Sequence, residues 1–419
     1  MNLKSILAFF AFSFFIQSVA QVPTGKLPAG HGYPNSATSP PMGWNSWNWF
    51  GKKNINEKII LGVIDAIHRN GLQSAGYTFI VVDGGWRTSK LGASGELLAD
   101  PVKFPHGMKM LADYAHARGL KFGLHTVPGT NDCAGDPVGG FGHEAIQLKQ
   151  FIDWGVDFIK LDLCRFDTGW NEELIRNTYS KWGDLIKQSG TPLLLSVSAY
   201  RYYDWYPQVG QMGRTTEDIS SPAGGMSGYK AVFDDIIPDE KNKWDLLTVM
   251  EIAEENNKWA AYAKPGYWND PDMLVTGKQG LTNEEQKAHF AIWCIMSAPL
   301  MLGNDPRNMS QQERAIVLNR ECIMIDQDTT EQGRRLKVNG KTEVWAKKLQ
   351  LAKTACLLLN RDKKNIKKIT LDLLAMGIEG TAKIRDVYTG KDLGSFTGSF
   401  SSTVLPVSGL FLIIDNSGK

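Results

Sequence analysis

The chain is 419 residues long, 42% hydrophobic and 21% charged, proportions that belong to a folded globular protein and exclude a disordered, collagenous or membrane-embedded one. Its 46 Lys and Arg against 44 Asp and Glu leave a formal charge of +2. No electrostatic surplus therefore draws it to nucleic acid or to an anionic membrane surface, and a neutral partner is expected. The length suits two domains, and 13 Trp offer flat apolar faces that suit sugar rings as well as core volume.

At the amino terminus Lys4 precedes the apolar run Ser5 to Ile16, and Ser18-Val19-Ala20 has the small-x-small form of a cleavage site. Residues 1–20 read as a secretory signal, so the mature protein is expected to be secreted or periplasmic. No later stretch reaches the roughly 18 to 20 apolar residues that a membrane span needs, so no insertion is expected. Residues 21–38, rich in Pro, Gly, Ser and Thr and without periodicity, read as a linker.

A repeating alternation follows. Asn56 can cap a helix whose Ile59, Ile60, Val63, Ile64 and Ile67 recur at helical spacing, with Gly71 as its stop. The apolar run Tyr77 to Val82 then ends at Asp83. Met108 to Arg118 is helical and stops at Gly119, and Lys121 to Leu124 is a strand ending at His125. The helix His143 to Trp154 stops at Gly155, and the strand Val156 to Leu161 ends at Asp162. The helix Glu172 to Gln188 closes at Gly190, and Pro192 to Val197 is again a strand. Apolar runs near Tyr267 and from Pro299 to Leu302 continue the series. About eight such units favour a parallel (β/α)8 TIM barrel over residues 39–328. The lack of Gly-x-Gly-x-x-Gly after the first strand counts against a dinucleotide-binding sheet. Over residues 329–419 the texture changes to short strands, among them Thr342 to Ala346, Ala355 to Leu359, Ile369 to Leu373, Ala382 to Val387 and Leu410 to Ile414. These predict a C-terminal antiparallel β-sandwich.

Active sites of parallel barrels lie at the carboxyl ends of the strands. Asp83 and Asp162 stand at such ends, and Asp218 and Asp272 are further candidates on less regular segments. Two carboxylates facing each other across a sugar allow double displacement, one attacking the anomeric carbon while the other protonates the leaving oxygen; retaining enzymes set them ~5 Å apart. Lys160 and Asp162, two apart on one strand, share a face, so the ammonium favours an ionised Asp162. Arg214 stands near Asp218, which must hold a proton to act as acid; a sugar face and the charge of Asp162 would push its pKa up. His125 reads as a polar lining residue. The scattered His and the missing metal and phosphate-loop motifs point to no metal and no cofactor. Five Cys permit two bridges at most. Cys133 with Cys164 is the expected pair, because both follow predicted strands, and Cys294 and Cys356 read as buried thiols.

The ordered motifs Pro40-Pro41-Met42-Gly43-Trp44-Asn45-Ser46-Trp47, Lys160-Leu161-Asp162 with Cys164, Arg214-Thr215-Thr216-Glu217-Asp218 and Trp268-Asn269-Asp270-Pro271-Asp272-Met273-Leu274 resemble glycoside hydrolase family 27, the α-galactosidase and α-N-acetylgalactosaminidase family. Ser297-Ala298-Pro299-Leu300 and Asp326-Gln327-Asp328 continue the likeness in order. The resemblance implies a retaining exo-glycosidase with an oligosaccharide or polysaccharide substrate and no cofactor. Asp162 matches the nucleophile and Asp218 the acid/base. Trp47, Asp83, Lys160, Arg214 and Asp272 match sugar-binding positions, and Cys133 with Cys164 matches a bridge beside the pocket.

Three departures bear on the substrate. Asp83-Gly84-Gly85-Trp86 stands where the family has two adjacent acids before Cys-Trp, Ser198-Ala199-Tyr200 stands near a Cys-Glu-Trp run, and His125 replaces a common Tyr. A lost charge-assisted hydrogen bond costs roughly 1.5 to 3 kcal/mol. The expected substrate is accordingly a terminal α-D-galactoside, with an α-N-acetylgalactosaminide or a β-L-arabinopyranoside as alternatives. A catalytically silent, glycan-binding barrel is the reading from a different class.

Overall fold

The computed structural model describes residues 37–164, 169, 171–221, 230–234, 246–277 and 279–416; the signal segment and residues 21–36 of the linker lie outside the described residues. Eight short strands, β1 (Met42–Asn45), β2 (Phe79–Val82), β3 (Lys121–Thr126), β4 (Phe158–Asp162), β5 (Leu194–Ser198), β6 (Met212–Arg214), β7 (Trp268–Asp270) and β8 (Leu300–Leu302), form one sheet in the order β8-β1-β2-β3-β4-β5-β6-β7. Every pairing in it is parallel. The circuit is completed just past β7, where Leu274 bridges Leu302 in parallel; its N–H donates to the Met301 carbonyl (2.8 Å) and its carbonyl accepts from the Gly303 N–H (3.0 Å). This is the expected TIM barrel.

The helices between the strands form where apolar periodicity and caps agree. In α1 (Glu57–Arg69) the Asn56 side chain accepts from the Ile59 N–H, and Ile60, Val63, Ile64 and Ile67 are buried. Helix α2 spans Gly107–His116. Helices α3 (Glu144–Trp154) and α4 (Glu172–Ser189) both end at a glycine in the left-handed region, Gly155 (φ 77°) and Gly190 (φ 66°), a conformation that a Cβ disfavours. Strand β1 was legible only as a motif, because four wholly buried residues show no alternation. The hairpin of Arg87–Leu91 with Leu97–Ala99 was not anticipated. At the end of the linker Ala37 is buried, its carbonyl accepting from the Gly266 N–H (2.8 Å) and from Trp268 Nε1 (2.9 Å).

The C-terminal strands are β9 (Arg334–Asn339), β10 (Thr342–Leu349), β11 (Lys353–Asn360), β12 (Lys367–Asp372), β13 (Thr381–Asp386), β14 (Asp392–Thr397), β15 (Ser399–Val404) and β16 (Ser408–Asp415). A six-stranded antiparallel sheet, β9-β10-β11-β16-β13-β14, faces the pair β12-β15. Side chains alternate across a strand, and here both faces of the central strands are apolar. Val344, Cys356, Leu358, Leu412 and Ile414 join Ile369 and Leu371 inside the sandwich, while Trp345, Leu357, Phe411 and Ile413 join the core of the barrel.

Among the polar contacts between barrel and sandwich, one is deeply buried in this seam. The buried Lys347 ammonium on β10 donates to Ser297 Oγ (2.7 Å) and to the carbonyls of Ile325 and Asp326 (3.1 Å to the latter). Those carbonyls belong to the last turn of helix α5 (Arg320–Gln327), whose negative dipole end and orphan acceptors favour a cation. Burial pulls the ammonium down to about 8, against the charge of Asp326. Replacing Lys347 with Met takes this donor from the buried Ile325 and Asp326 carbonyls and from Ser297 Oγ, which keeps its bond to the Glu331 carbonyl, and is expected to lower stability by ~2 kcal/mol, read as a lower urea midpoint.

Candidate active site

Four strand ends and the loops after them bring the charged residues together at the carboxyl rim of the barrel. Asp83 follows β2 directly, Lys160 and Asp162 lie on β4, Arg214 ends β6, and Asp272 stands two residues past β7. Lys160 is the centre of one cluster: its ammonium lies 3.0 Å from Asp83 Oδ2 and 3.6 Å from Asp162 Oδ2, as the shared face of positions 160 and 162 requires. The Asp83 carboxylate also accepts from Asn45 Nδ2 (2.8 Å) and from the Gly84 N–H (2.7 Å). His125 Nε2 lies 3.3 Å from Asp162 Oδ2, and the Ser198 hydroxyl also acts on the Asp162 carboxylate.

Arg214 centres a second cluster. Its guanidinium pairs with Asp218 Oδ1 (3.1 Å) and with Asp272 Oδ2 (3.0 Å), and it donates to the Thr216 and Glu217 carbonyls (3.2 and 2.8 Å). Asp218 is the open member, its side chain 46% exposed against 2% for Arg214. Trp47 and His125 share one wall: a Cβ added to Gly84 would meet Trp47 Cζ3 at 3.3 Å and His125 Cε1 at 4.0 Å. Beneath the charges, Phe158, Met212, Met273 and Met301 are buried in the barrel interior and border a cavity of about 20 Å³ that Lys160, Arg214, Asp270 and Asp272 also line.

The charges are arranged so that each group holds its state. Burial raises the Asp162 pKa, but the charge of Lys160 and the hydrogen bond and charge of His125 outweigh it and hold the carboxyl well below the usual range. Asp83 is likewise lowered, Lys160 and His125 overcoming its burial. Burial works against the Lys160 ammonium, yet Asp162, Asp83 and Asp218 raise its pKa. Asp272 differs: burial, with the charges of Asp218 and Asp270, pushes it up to about 6 against the pull of Arg214.

Every residue singled out for the pocket from the sequence lies in or beside these clusters. Cys133 and Cys164 are joined by a disulfide, Cα to Cα 4.8 Å, two residues beyond Asp162. His125, Asp162 and Cys164 place three donor atoms within 4.8 Å of one another, but the Cys164 sulfur is spent in the bridge and offers no thiolate to a metal. Sequence reasoning missed Asn45, Asp270 and Tyr200. Asn45 and Asp270 sit inside the quoted motifs and line the pocket. Tyr200 has φ 59°, an unusual backbone state for a non-glycine residue, and its hydroxyl feels the charges of both Asp162 and Asp218. Asp272, at φ 81°, is a second such residue in the site.

The family model described as "Alpha galactosidase A" matches residues 39–328 of this chain, and "Alpha galactosidase C-terminal beta sandwich domain" matches residues 339–414. The chain belongs to glycoside hydrolase family 27, the α-galactosidase family. Among its relatives, Alpha-galactosidase 2 of Arabidopsis thaliana is 36% identical over 85% of this chain and 83% of that protein. Alpha-galactosidase A of Cellvibrio japonicus is 38% identical over 78% and 76%. The crystal structure of α-galactosidase I from Mortierella vinacea superposes with a TM-score of 0.82 at 28% identity, covering 90% of this chain and 97% of that one. This family member is thus a glycoside hydrolase of the α-galactosidase type.

The pivotal group for both buried carboxylates is Lys160. Because Asp83 and Asp162 have folded pKa values below the ordinary 3.8, they contribute stability that is present above that pH and lost as the pH falls through their folded values. Lys160→Met removes the cause: the variant is expected to lose about 3 kcal/mol at neutral pH, in urea titrations. The acid limb of its pH–activity profile should also move to higher pH.

Proposed function

We propose that this hydrolase is a retaining exo-glycosidase that removes a terminal α-D-galactosyl unit by double displacement. Asp162 is the nucleophile. With its carboxylate held ionised by Lys160 and His125, Asp162 attacks the anomeric carbon as the glycosidic C–O bond breaks. Asp218, at the open mouth, gives its proton to the departing oxygen. Water then attacks the glycosyl-aspartate, passing a proton to Asp218 and releasing Asp162 as carboxylate, so two inversions leave the configuration unchanged. Asp83, Lys160, Arg214, Asp272, His125 and Trp47 bind the sugar. The observation that carries the reading is the pairing of a carboxylate locked in its charged form with a second, exposed carboxylate on the same rim. The amino-terminal signal supports export, and no described helix is long and apolar enough to cross a membrane.

The test is hydrolysis of nitrophenyl glycosides followed by NMR of the released sugar. Asp162→Asn is expected to lower turnover by more than ~10³-fold, and the first product should be the α-anomer. Unchanged turnover in Asp162→Asn, or a β-anomer, would overturn the assignment.

Gly84 favours a second reading of the substrate. Position 84 beside Trp47 and His125 is a glycine and supplies no carboxylate of its own, so a sugar that lacks the galactose C6 hydroxymethyl, a β-L-arabinopyranoside, competes with plain galactose, and the small Ala199 leaves an α-N-acetylgalactosaminide, altered at C2, as the other alternative. Gly84→Asp is expected to raise kcat/KM for nitrophenyl α-D-galactoside about tenfold, the effect of ~1.4 kcal/mol. No gain would mean that this slot does not face the galactose hydroxyls.

A further inference from the structure

The direct contact of the acid/base works against its task. Asp218 must hold a proton until the glycosidic oxygen takes it, yet it lies 3.1 Å from the buried Arg214 guanidinium, and a cation at that range favours an ionised carboxylate. A second carboxyl answers the same cation. Asp272 Oδ2 lies 3.0 Å from Arg214 Nη2, while Nη1 donates to Asp218, so one fork serves two acids. The same Asp272 oxygen accepts from the N–H of Ile219 (2.9 Å), the peptide directly after Asp218. Asp272 thus grips both the cation that faces the acid/base and the backbone that carries it.

Asp272 is fixed from several sides. Its Oδ1 accepts from the Met273 N–H (2.7 Å), its own N–H donates to Asp270 Oδ1 (2.8 Å), and its carbonyl accepts from Trp293 Nε1 (2.9 Å). These contacts hold it buried at φ 81°, a backbone state that few non-glycine residues adopt. Burial works against the Arg214 guanidinium, and Asp272, Asp218 and Asp270 act on it in that order, with Asp162 behind them. Lys160 on β4 senses the charge of Asp218 and acts on Asp270. The Tyr200 hydroxyl senses Asp218 as well, and Glu217, next to Asp218 in the chain, is exposed. Three carboxyls around one guanidinium cannot all ionise without excess negative charge at a largely buried place, so their protons are shared in a coupled way. Burial brings Asp272 to about 6. Above that pH it is the carboxylate that offsets Arg214; without its charge Arg214 would act on Asp218 alone and draw off the proton the reaction needs.

We propose that Asp272, beyond its place in the sugar pocket, is the positioning residue of the acid/base: it takes up the charge of Arg214 and anchors the peptide after Asp218, so that Asp218 keeps its proton for the departing oxygen at neutral pH. The proposal rests on the double-displacement reading above, and the test separates the two. Asp272→Asn is nearly isosteric, suits a positive φ and removes the charge alone. It is expected to lower kcat/KM for methyl α-D-galactoside about tenfold at neutral pH and to move the alkaline limb of that pH profile down by about one unit, because the methoxide leaving group needs a proton. Dinitrophenyl α-D-galactoside, whose phenolate departs without one, should change by less than about twofold. A role in sugar binding alone would lower both substrates by one factor and leave the limb in place, and that result overturns the proposal. A second measurement leaves the buried position untouched. In carbon NMR of aspartate-labelled protein, the change Asp218→Asn at the exposed site is expected to shift the titration of Asp272 below its value of about 6, since coupling between two sites is reciprocal. An unmoved Asp272 titration likewise overturns the proposal, whether or not Asp272→Asn folds. A shifted titration in a protein that hydrolyses no glycoside would remove the double-displacement mechanism and leave the Arg214-linked pair standing.

Discussion

The site depends on a single ammonium group between two carboxylates. Three ionised side chains at this depth each carry a desolvation penalty of several kcal/mol, and only close pairing with further hydrogen bonds offsets it. Lys160 meets that condition from one strand: Asp162 shares its face, and Asp83, just past β2, lies at 3.0 Å. Asn45 and the Gly84 N–H then complete the Asp83 carboxylate. The geometry of the parallel barrel makes this possible, because adjacent strand ends deliver side chains of different sequence origin to one rim. Arg214 repeats the arrangement on the far side with Asp218 and Asp272, so two cation-centred clusters border one cavity. The cost of holding charges there is carried by the apolar barrel core beneath them.

Much of this was legible in the sequence, for identifiable reasons. Helices with a cap, a period and a glycine stop, such as Glu57–Arg69 and Glu172–Ser189, declare themselves, and two of the strands between helices end at acids, Asp83 and Asp162. Lys160 and Asp162 were paired from the two-residue repeat of a strand. The family motifs located Asp218 and Asp272, which strand logic reached less firmly: β6 and β7 have three residues each, too few for any periodicity. Strands β14 and β15 were passed over because their residues are largely polar and exposed.

What stayed hidden depends on the third dimension. Nothing in Ser198-Ala199-Tyr200 announces a left-handed tyrosine, since that backbone state is imposed by the surroundings of the strand end and not by local propensity. Asn45 reads as one more residue of a motif until its amide is seen on Asp83.

The two apolar faces of β10, β11 and β16 carry a consequence for the architecture. A sheet with one wet face can be detached and remain a soluble module, whereas this one presents Trp345, Leu357 and Phe411 to the catalytic half and Leu358 and Leu412 to its own interior. Cutting the chain between the halves would bare matching oily surfaces on both fragments, each an invitation to clump. The sandwich is therefore no portable cassette for shuffling onto other scaffolds; barrel and sandwich are bound to fold, and to be inherited, as one piece.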